Sequence, residues 1–157
     1  MMKKDCTFCK IVNGEIPAYI IYKDKNYIAF LDIFPNIKGQ TIVVTRKHIG
    51  SYAFDMSDKK LACLIKVSKR VARMLEAKLG VVRVHLVLEG TGINHMHVKL
   101  YPAIGLKSRR FKEFVVKKNI YFNRYPGYVT TLMGPKAGDQ LLKTLRDRIV
   151  KISRGMK

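Results

Sequence analysis

The sequence predicts an α+β fold in which an antiparallel sheet is crossed by one long helix. Three observations lead to this prediction: five short runs rich in β-branched and aromatic residues, tight turns between neighbouring runs, and one long stretch with apolar residues at helical spacing. Strands joined by tight turns pair antiparallel, because parallel pairing needs a longer crossover connection. The 157 residues suffice for one domain with its own core, plus an appendage.

The first half of the chain supplies three of the predicted strands. A short helical turn is predicted at 11–17, and strands at 19–22 and 27–31 are separated by a polar turn. The run 40–45 is almost entirely β-branched and predicts a central strand. Asp32 directly follows the second strand, so its carboxylate either caps a turn or accepts hydrogen bonds from the paired hydroxyls of a ligand such as a ribose.

The long helix and two further strands follow. Ser57 is a candidate N-cap, and Gly80 ends the helix. Between them, the residues predicted to face the core are Leu61, Leu64, Ile65, Ser68, Val71, Ala72, Leu75 and Leu79. A strand at 81–88, a glycine-bearing turn at 89–92 and a last strand at 93–101 complete the sheet.

The last strand carries the residues on which the functional interpretation depends. In an extended chain His95, His97 and Lys99 share one face, while Met96, Val98 and Leu100 occupy the other. Imidazole titrates near neutral pH and is a good nucleophile, and a fixed positive charge beside it suits an anionic substrate such as a phosphate. The alternative is a strand whose histidines are half-exposed polar residues.

The three cysteines, Cys6, Cys9 and Cys63, cannot form a closed set of disulfides. A single Cys-x-x-Cys is weak evidence for a metal site, because redox motifs and chance also produce it. His85 alternates with apolar residues in a predicted strand, which leaves His48, His95 and His97 as candidates to complete a tetrahedral site.

The formal net charge is +20, and it is concentrated towards the C-terminus. Residues 1–102 carry 17 Lys and Arg against 8 Asp and Glu, whereas residues 103–157 carry 14 against 3. Polyanions such as nucleic acid are natural partners of such a surface, although a solvated basic surface without a specific partner explains the charge almost as well. No run of 18 apolar residues and no apolar signal segment is present, so we expect a soluble, cytoplasmic protein without membrane insertion.

Several sequence blocks in register resemble the histidine triad (HIT) family of nucleotide hydrolases and transferases. The resemblance covers about the first two-thirds of the chain and rests on Cys6-x-x-Cys9, Ile16-Pro17, the run 29–33, Gly39 before a β-branched strand, Lys47-His48 and the run 95–102. It implies a five-stranded antiparallel sheet with helices, dimerised through the long helix and the end of the sheet.

The resemblance also implies roles for single residues. His97 would attack the α-phosphorus of a nucleotide derivative and form a nucleotidyl-imidazole that water then hydrolyses. Asp32 would hold the ribose hydroxyls, with Phe30 and Ile33 near the base. Dinucleoside polyphosphates, nucleotidyl conjugates and phosphoramidates are the implied substrate classes.

Zinc-containing members of the family imply a metal site. The matching positions are Cys6, Cys9, His48 and His95, a complete Cys₂His₂ set that leaves no open coordination position for a substrate. We therefore expect a structural zinc ion that fixes the N-terminal segment to the strand carrying His97. The alternative is that the cysteines are inert and His95 only orients its neighbour.

The sequence departs from the family pattern in three places. Lys99 stands where the third histidine is expected, and Gln40 replaces another histidine beside the site. The segment Gly90-Thr91-Gly92 lacks a usual Gln-Ser pair, although its backbone N–H groups could bind a phosphate. Lys99 can stabilise phosphate charge, but at an ordinary pKa it is a poor proton shuttle near pH 7. Slow hydrolysis, transfer to another acceptor and binding without turnover all stay open.

The sequence divides into a HIT-like domain, 1–104, and a basic extension, 105–157, expected to pack on the core. The runs 107–112 and 117–125 interleave cations with aromatics, a pattern that binds phosphates and stacks on bases. The alternative is that Phe111, Phe114, Tyr121 and Phe122 pack onto the sheet. A terminal amphipathic helix that docks on the core or on a partner subunit is predicted from Leu141, Leu142, Leu145, Ile149 and Ile152.

Overall fold

Five strands form one antiparallel sheet in the order β1-β2-β3-β5-β4. The strands are β1 (Ile20–Lys23), β2 (Tyr27–Leu31), β3 (Thr41–Thr45), β4 (Val84–Val87) and β5 (His97–Pro102). The helices are α1 (Thr7–Asn13), α2 (Asp58–Leu79) and α3 (Asp139–Ser153), with a 3-10 turn at Ala53–Asp55. The predicted α+β class with a five-stranded antiparallel sheet is confirmed.

This computed structural model describes residues 5–106, 118, 120–130 and 135–153. The chain forms two compact units, Met1–Lys112 and Glu113–Lys157. The sheet, α1 and α2 belong to the first unit, and α3 belongs to the second. The boundary predicted at 104/105 stays a prediction.

Strand β3 lies at the centre of the sheet, and all five of its residues are buried. Its β-branched side chains pack well on a pleated surface that is covered on both faces. The β3–β5 register pairs Val44 with His97 and Ile42 with Lys99. Directly paired residues share a face of the sheet, so His97 and Lys99 lie on the same face as Ile42 and Val44.

Each face of the sheet has its own apolar cluster. On one face, α2 packs Leu64, Val67, Val71 and Leu75 against residues that include Val43, Met96, Val98 and Leu100. On the other face, α1 packs Phe8 and Ile11 among Cys6, Cys9, Ile28, Phe30, Ile42 and Val44. The predicted alternation of the last strand therefore holds, with Met96, Val98 and Leu100 towards α2 and His97 and Lys99 towards α1.

Helix α2 begins and ends where the sequence predicts. Ser57 precedes it in an extended conformation but makes no side-chain cap hydrogen bond, and Gly80 ends it with a left-handed φ of 66°. The predicted core stripe is wrong at one position, because Ile65 is 38% exposed. Val67 is buried in its place.

Three predicted boundaries are wrong. Strand β5 begins at His97, four residues later than expected, because the backbone before it serves other partners: the N–H of Met96 donates to the carbonyl of Ile49. Strand β4 is limited to Val84–Val87. Helix α1 spans Thr7–Asn13 instead of 11–17, and it ends at Gly14, whose φ is 80°.

In the second unit, the described aromatic side chains are exposed. Tyr121 and Phe122 have exposed fractions of 68% and 41%, and Phe122 makes an edge-to-face contact with Tyr128. Tyr121 and Phe122 are therefore surface residues, not core residues. Phe111, Phe114 and most of the run 107–119 lie outside the described residues, as does the side chain of Ile152.

The predicted apolar stripe of the terminal helix is also exposed. Its described members are Leu141, Leu142, Leu145 and Ile149. Among the described residues, no helix combines the length and the apolar character that crossing a membrane requires.

Candidate active site and metal centre

His97 opens β5 with its ring almost entirely buried, at 3% exposure. Its Nδ1 lies 2.7 Å from the backbone carbonyl oxygen of His95. A carbonyl oxygen only accepts hydrogen bonds, so Nδ1 carries the proton of the neutral ring and the lone pair is on Nε2. The ring of Phe8 packs edge-to-face against the imidazole at 5.2 Å and restricts its rotation.

The surroundings of His97 favour the neutral ring. The pKa of His97 is lowered, and the largest cause is burial of the ring. The carbonyl of His95 acts to raise this pKa. The charge of Lys99 lowers it further, and the charge of Glu89 raises it. A neutral imidazole with its lone pair on Nε2 is the form of histidine that attacks an electrophile.

His97 lines a cavity of about 480 Å³ on the α1 face of the sheet. The apolar lining residues are Phe8, Ile11, Ile16, Pro17, Ala18, Phe30, Ile42 and Ile93. The polar and charged lining residues include Asp32, Asn36, Gln40, His97, Lys99 and Tyr101. A volume of this order suits a small-molecule ligand that combines an apolar ring system with polar or charged groups.

The cavity brings together most of the binding residues that the sequence predicts. Phe30, Asp32, Ile33, Gln40 and Gly92 line it beside His97 and Lys99. Phe30 is buried in the wall, whereas Ile33 is largely exposed at the surface.

Gly90 and Thr91 are not among the lining residues. Gly90 has a φ of 67°, and its carbonyl accepts a hydrogen bond of 2.6 Å from Oγ of Ser51. In this structure it shapes the loop before β5 without reaching the cavity.

Asp32 joins the end of β2 to the start of β3. Its Oδ1 accepts a hydrogen bond from the N–H of Phe34 at 2.9 Å, and its Oδ2 accepts one from Nε2 of Gln40 at 2.5 Å. Oε1 of Gln40 in turn accepts from the N–H of Asn36 at 2.9 Å. The carboxylate therefore caps the turn, as one interpretation predicts, and it also lines the cavity. A carboxylate has about four acceptor positions, so further acceptor capacity is left for a ligand.

Lys99 donates a hydrogen bond through Nζ to Oε1 of Glu89. Burial acts to lower the pKa of Lys99, but the hydrogen bond and charge of Glu89 outweigh it, so the pKa is raised. Lys99 is therefore positively charged in the cavity lining at neutral pH and is a poor group for proton transfer there.

Four potential metal ligands converge next to this cavity. The ligand atoms of Cys6, Cys9, His48 and His95 all lie within 4.8 Å of one another. Nδ1 of His95 lies 3.3 Å from Sγ of Cys6 and 3.5 Å from Sγ of Cys9, and Nδ1 of His48 lies 3.4 Å from Sγ of Cys9. Cys6 precedes the first turn of α1 and Cys9 follows within it, so one helical turn presents both sulfurs to the histidines.

The orientation of His95 fits a metal ligand. Its Nε2 lies 2.7 Å from the carbonyl oxygen of Thr45, which fixes the proton on Nε2 and leaves the Nδ1 lone pair directed at the two sulfurs. Metal-bound histidines commonly donate their other ring N–H to a carbonyl in this way. The four residues are therefore placed to hold a metal ion, and two thiolates with two imidazoles match the donor preference of Zn²⁺.

Several residues in and around the site were not predicted from the sequence, among them Glu89 and the lining residues of α1. Glu89 belongs to a run that resembles a simple turn, and its contact with Lys99 depends on the strand register. Helix α1 contributes Thr7, Phe8 and Ile11 to the cavity lining, although the sequence indicates only its cysteines. The apolar residues between and after those cysteines are a signal that the segment packs on the sheet.

Comparisons with known proteins place this chain and its fold in one family. A family model described as HIT domain matches residues 13–103. An uncharacterized HIT-like protein of Methanocaldococcus jannaschii is 41% identical over 102 residues, which are 62% of this chain and 78% of that protein. The adenosine 5′-monophosphoramidase of Saccharomyces cerevisiae is 30% identical over 109 residues, 66% of this chain and 65% of that enzyme.

A solved structure leads to the same family. A hypothetical histidine triad nucleotide-binding protein from Sulfolobus tokodaii is 32% identical and has a TM-score of 0.60, covering 69% of this chain and 76% of that one. With a family match over more than half of the 157 residues and a sheet of the same architecture, the chain belongs to the histidine triad (HIT) family.

Proposed function

We propose that this protein is a nucleotide hydrolase or nucleotidyl transferase that acts at the α-phosphate of a nucleoside 5′-phosphate derivative. The observation that carries the proposal is the position of His97, a buried neutral imidazole with its lone pair on Nε2, in a cavity that also contains Asp32 and Lys99. The relative that is named an adenosine 5′-monophosphoramidase supports a substrate of this kind.

The proposed reaction has two displacement steps at phosphorus. First, the Nε2 lone pair of His97 forms a bond to the α-phosphorus, and the bond to the leaving group breaks. The leaving group departs with that electron pair and takes up a proton from solvent. Second, a water oxygen bonds to phosphorus, the phosphorus–nitrogen bond returns its electron pair to Nε2, and a water proton is released to solvent. The products are a nucleoside monophosphate and the protonated leaving group. An acceptor other than water makes the second step a transfer.

We assign each part of such a substrate to lining residues of suitable chemistry. The apolar lining residues, which include Phe8 and Phe30, suit the base, and the unused acceptor positions of Asp32 suit the ribose hydroxyls. Lys99 and the backbone near Gly92 suit the phosphate, whose charge increases in the transition state. Gln40, which also lines the cavity, donates a hydrogen bond to Asp32 and holds its carboxylate in place.

The test is the trapping of the covalent intermediate. The protein is incubated with a panel of adenosine and guanosine phosphate conjugates, quenched and analysed by mass spectrometry for a nucleotidyl adduct on His97. We expect the adduct in the parent, and we expect His97→Ala to lose both the adduct and at least about 10³-fold in turnover. The control is His85→Ala, because His85 lies on the exposed part of β4 and does not line the cavity. Turnover by His97→Ala at the parental rate would exclude the mechanism.

We propose zinc as the metal held by Cys6, Cys9, His48 and His95. A closed Cys₂His₂ set leaves no coordination position for substrate, so the ion would have a structural role and hold α1 against the sheet. Since α1 contributes to the cavity lining, the bound ion would also stabilise that part of the lining.

We also propose that the protein forms a homodimer through α2 and the edge of the sheet. Strand β4 lies at the edge of the sheet, where β5 is the only strand that pairs with it in the part of the chain that the structure describes. Leu86 points to the face that α2 covers, since it pairs with the buried Leu100, yet it is 40% exposed. Ile65 of α2 is exposed as well. These apolar side chains suit burial against a second copy.

A second candidate function is binding of nucleic acid through the second unit. The observation that favours it is the exposure of aromatic side chains, among them Tyr121, Tyr125 and Tyr128, beside the exposed cations Lys118 and Arg124. Aromatic rings stack on unpaired bases, and cations neutralise phosphates. This candidate predicts single-stranded RNA or DNA affinity that falls steeply with salt and is lost in a Tyr121→Ala/Tyr125→Ala variant. Unchanged affinity in that variant would exclude this surface.

A further inference from the structure

Glu89 is an acidic residue that contacts Lys99 of the cavity lining, and the proposed reaction assigns it no role. Strand β4 pairs with β5 from Val84 opposite Pro102 to Val87 opposite Lys99. Glu89 follows the last paired residue of β4 by two positions, and its carboxylate accepts a hydrogen bond from Nζ of Lys99.

The two charges of this pair lie largely out of solvent. The side chain of Lys99 is 24% exposed and that of Glu89 is 17% exposed. Water and salt screen such a pair less than a surface ion pair, so its charge balance acts on whatever occupies the cavity. The positive charge of Lys99 and the negative charge of Glu89 also act on the ring of His97 with opposite signs.

Only one member of the pair meets the cavity. Lys99 lines it, whereas Glu89 is not among the lining residues. Glu89 therefore influences a ligand through Lys99: it directs one of the three N–H donors of the ammonium group away from the ligand, and it offsets the positive charge.

We propose that Glu89 is a positioning residue that sets the leaving-group preference of the site. By offsetting Lys99, it favours a leaving group without negative charge, such as the amine of a nucleoside phosphoramidate, over the phosphate chain of a dinucleoside polyphosphate. This inference rests on the proposed function, because it concerns the first displacement at phosphorus.

Charge balance explains the preference. In both reactions the same bond forms between Nε2 of His97 and phosphorus. An amine departs with the electron pair of the phosphorus–nitrogen bond and takes up a proton, so it carries no negative charge away. A polyphosphate departs with the electron pair of a phosphorus–oxygen bond and carries several negative charges. An unbalanced ammonium stabilises the second departure much more than the first.

The experiment compares two substrates in matched variants. The ratio of kcat/KM for adenosine 5′-monophosphoramidate to kcat/KM for diadenosine tetraphosphate is measured in the parent, Glu89→Gln, Lys99→Gln and the double variant. Glu89→Gln is expected to lower this ratio by at least about tenfold, because the cation is then unbalanced, and Lys99→Gln to raise it by a similar factor. The double variant is expected to return towards the parental ratio.

Two further variants separate charge balance from damage to the fold. Glu89→Asp keeps the carboxylate and should retain most of the parental ratio. Glu76→Gln makes the same chemical change at the Arg73–Glu76 ion pair of α2, whose Glu76 does not line the cavity, and should leave the ratio unchanged. Thermal unfolding of each variant shows whether it is folded at the assay temperature.

The outcomes distinguish this inference from the proposed function. Equal changes for both substrates in Glu89→Gln, leaving the ratio at its parental value, would overturn the role of Glu89 while the proposed function stands. The absence of turnover and of a His97 adduct with either substrate in the parent would overturn the proposed function and this inference with it.

Discussion

The carbonyl oxygen of His95 lies 2.7 Å from Nδ1 of His97, so a candidate metal ligand and the candidate nucleophile are joined by one hydrogen bond. The ring of His95 is itself held by Thr45 and directed at Cys6 and Cys9. The backbone that positions the metal ligand therefore also fixes the tautomer of His97. Through this contact the candidate metal site is structurally coupled to the candidate nucleophile.

The coupling predicts the effect of metal removal. The reference is the parent with zinc at a thousandfold excess over its Kd. Relative to it, chelation or Cys9→Ser is expected to lower the free energy of unfolding by about 4 kcal/mol and the unfolding midpoint by more than about 10 °C. KM should rise as well, because α1 lines the cavity. Zinc content by mass spectrometry under native conditions and thermal unfolding are the measurements.

Cys63 provides the matched control for this experiment. It lies exposed on α2 and does not belong to the four-residue cluster. Cys63→Ser should therefore leave zinc content and the unfolding midpoint unchanged. If Cys9→Ser behaves like Cys63→Ser, the cluster holds no stabilising ion.

The two glycines before β5 are predicted to respond differently to alanine. A Cβ at Gly90 would lie 2.5 Å from the carbonyl oxygen of Ser51, and the φ of Gly90 is 67°. Gly90→Ala is therefore expected to destabilise the protein by about 2 kcal/mol or more. At Gly92 a Cβ would meet no atom within 4 Å, so Gly92→Ala should leave stability nearly unchanged. Urea unfolding of both variants tests the difference, and equal destabilisation would contradict it.

The fold and much of the site follow from local sequence patterns. Alternation in the last strand correctly predicts that His97 and Lys99 share one face, because successive side chains of a strand point to opposite faces. The spacing of Cys6 and Cys9 indicates a shared site, and His48 and His95 come within reach of it through strand order. The glycine at position 80 correctly marks the end of α2.

What the sequence does not predict depends on tertiary context. Glu89 contacts Lys99 because β4 and β5 are paired in one particular register, which no local pattern specifies. The late start of β5 results from a hydrogen bond between Met96 and Ile49, 47 positions apart in the sequence. Ile65 satisfies the helical spacing of the core residues but is exposed. Whether its side of α2 is buried depends on how the helix packs on the sheet, which the spacing does not specify.

The proposed dimer is predicted to depend on the apolar edge near β4. Leu86→Lys places a charge on an exposed edge strand and should shift the protein from dimer to monomer in sedimentation velocity experiments. Leu141→Lys makes the same change on the exposed surface of α3 and should leave the mass unchanged. A parent that sediments as a monomer, or a Leu86→Lys variant that stays dimeric, would contradict this interface.

The turn between β1 and β2 is predicted to be sensitive to acid. Burial acts to raise the pKa of Asp24, but hydrogen bonds from the Tyr22 hydroxyl and from the N–H groups of Asn26 and Tyr27 outweigh it and lower the pKa. Because the folded-state pKa lies below the ordinary value of 3.8, Asp24 stabilises the protein above that pH and loses this contribution as the pH falls.

Asp24→Asn should therefore cost about 1 kcal/mol at pH 7, since it weakens charge-assisted hydrogen bonds. The difference between the variant and the parent should shrink as the pH falls below 4. Unfolding free energies measured from pH 7 to pH 3 on both proteins provide the test. A difference that is the same at every pH would show that the charge of Asp24 contributes nothing.

Substitution can separate the turn cap that Asp32 forms from the ribose contact that we propose for it. Asp32→Asn keeps an acceptor for the N–H of Phe34 but removes the negative charge. It also replaces the second carboxylate oxygen, which faces Gln40 or the ligand, with an N–H donor. If the carboxylate holds ribose hydroxyls, KM for a ribonucleotide substrate should rise about tenfold, which corresponds to about 1.4 kcal/mol of binding free energy. Gln40→Leu removes the hydrogen bond that supports Asp32 without changing its charge, so it should raise KM less and destabilise the loop 33–39.

The 2′,3′-dideoxy form of the same substrate is the decisive comparison for Asp32. It should bind the parent and Asp32→Asn equally, because the hydroxyls that Asp32 would hold are missing. A tenfold difference that persists with the dideoxy substrate would show that Asp32 acts only by holding its turn.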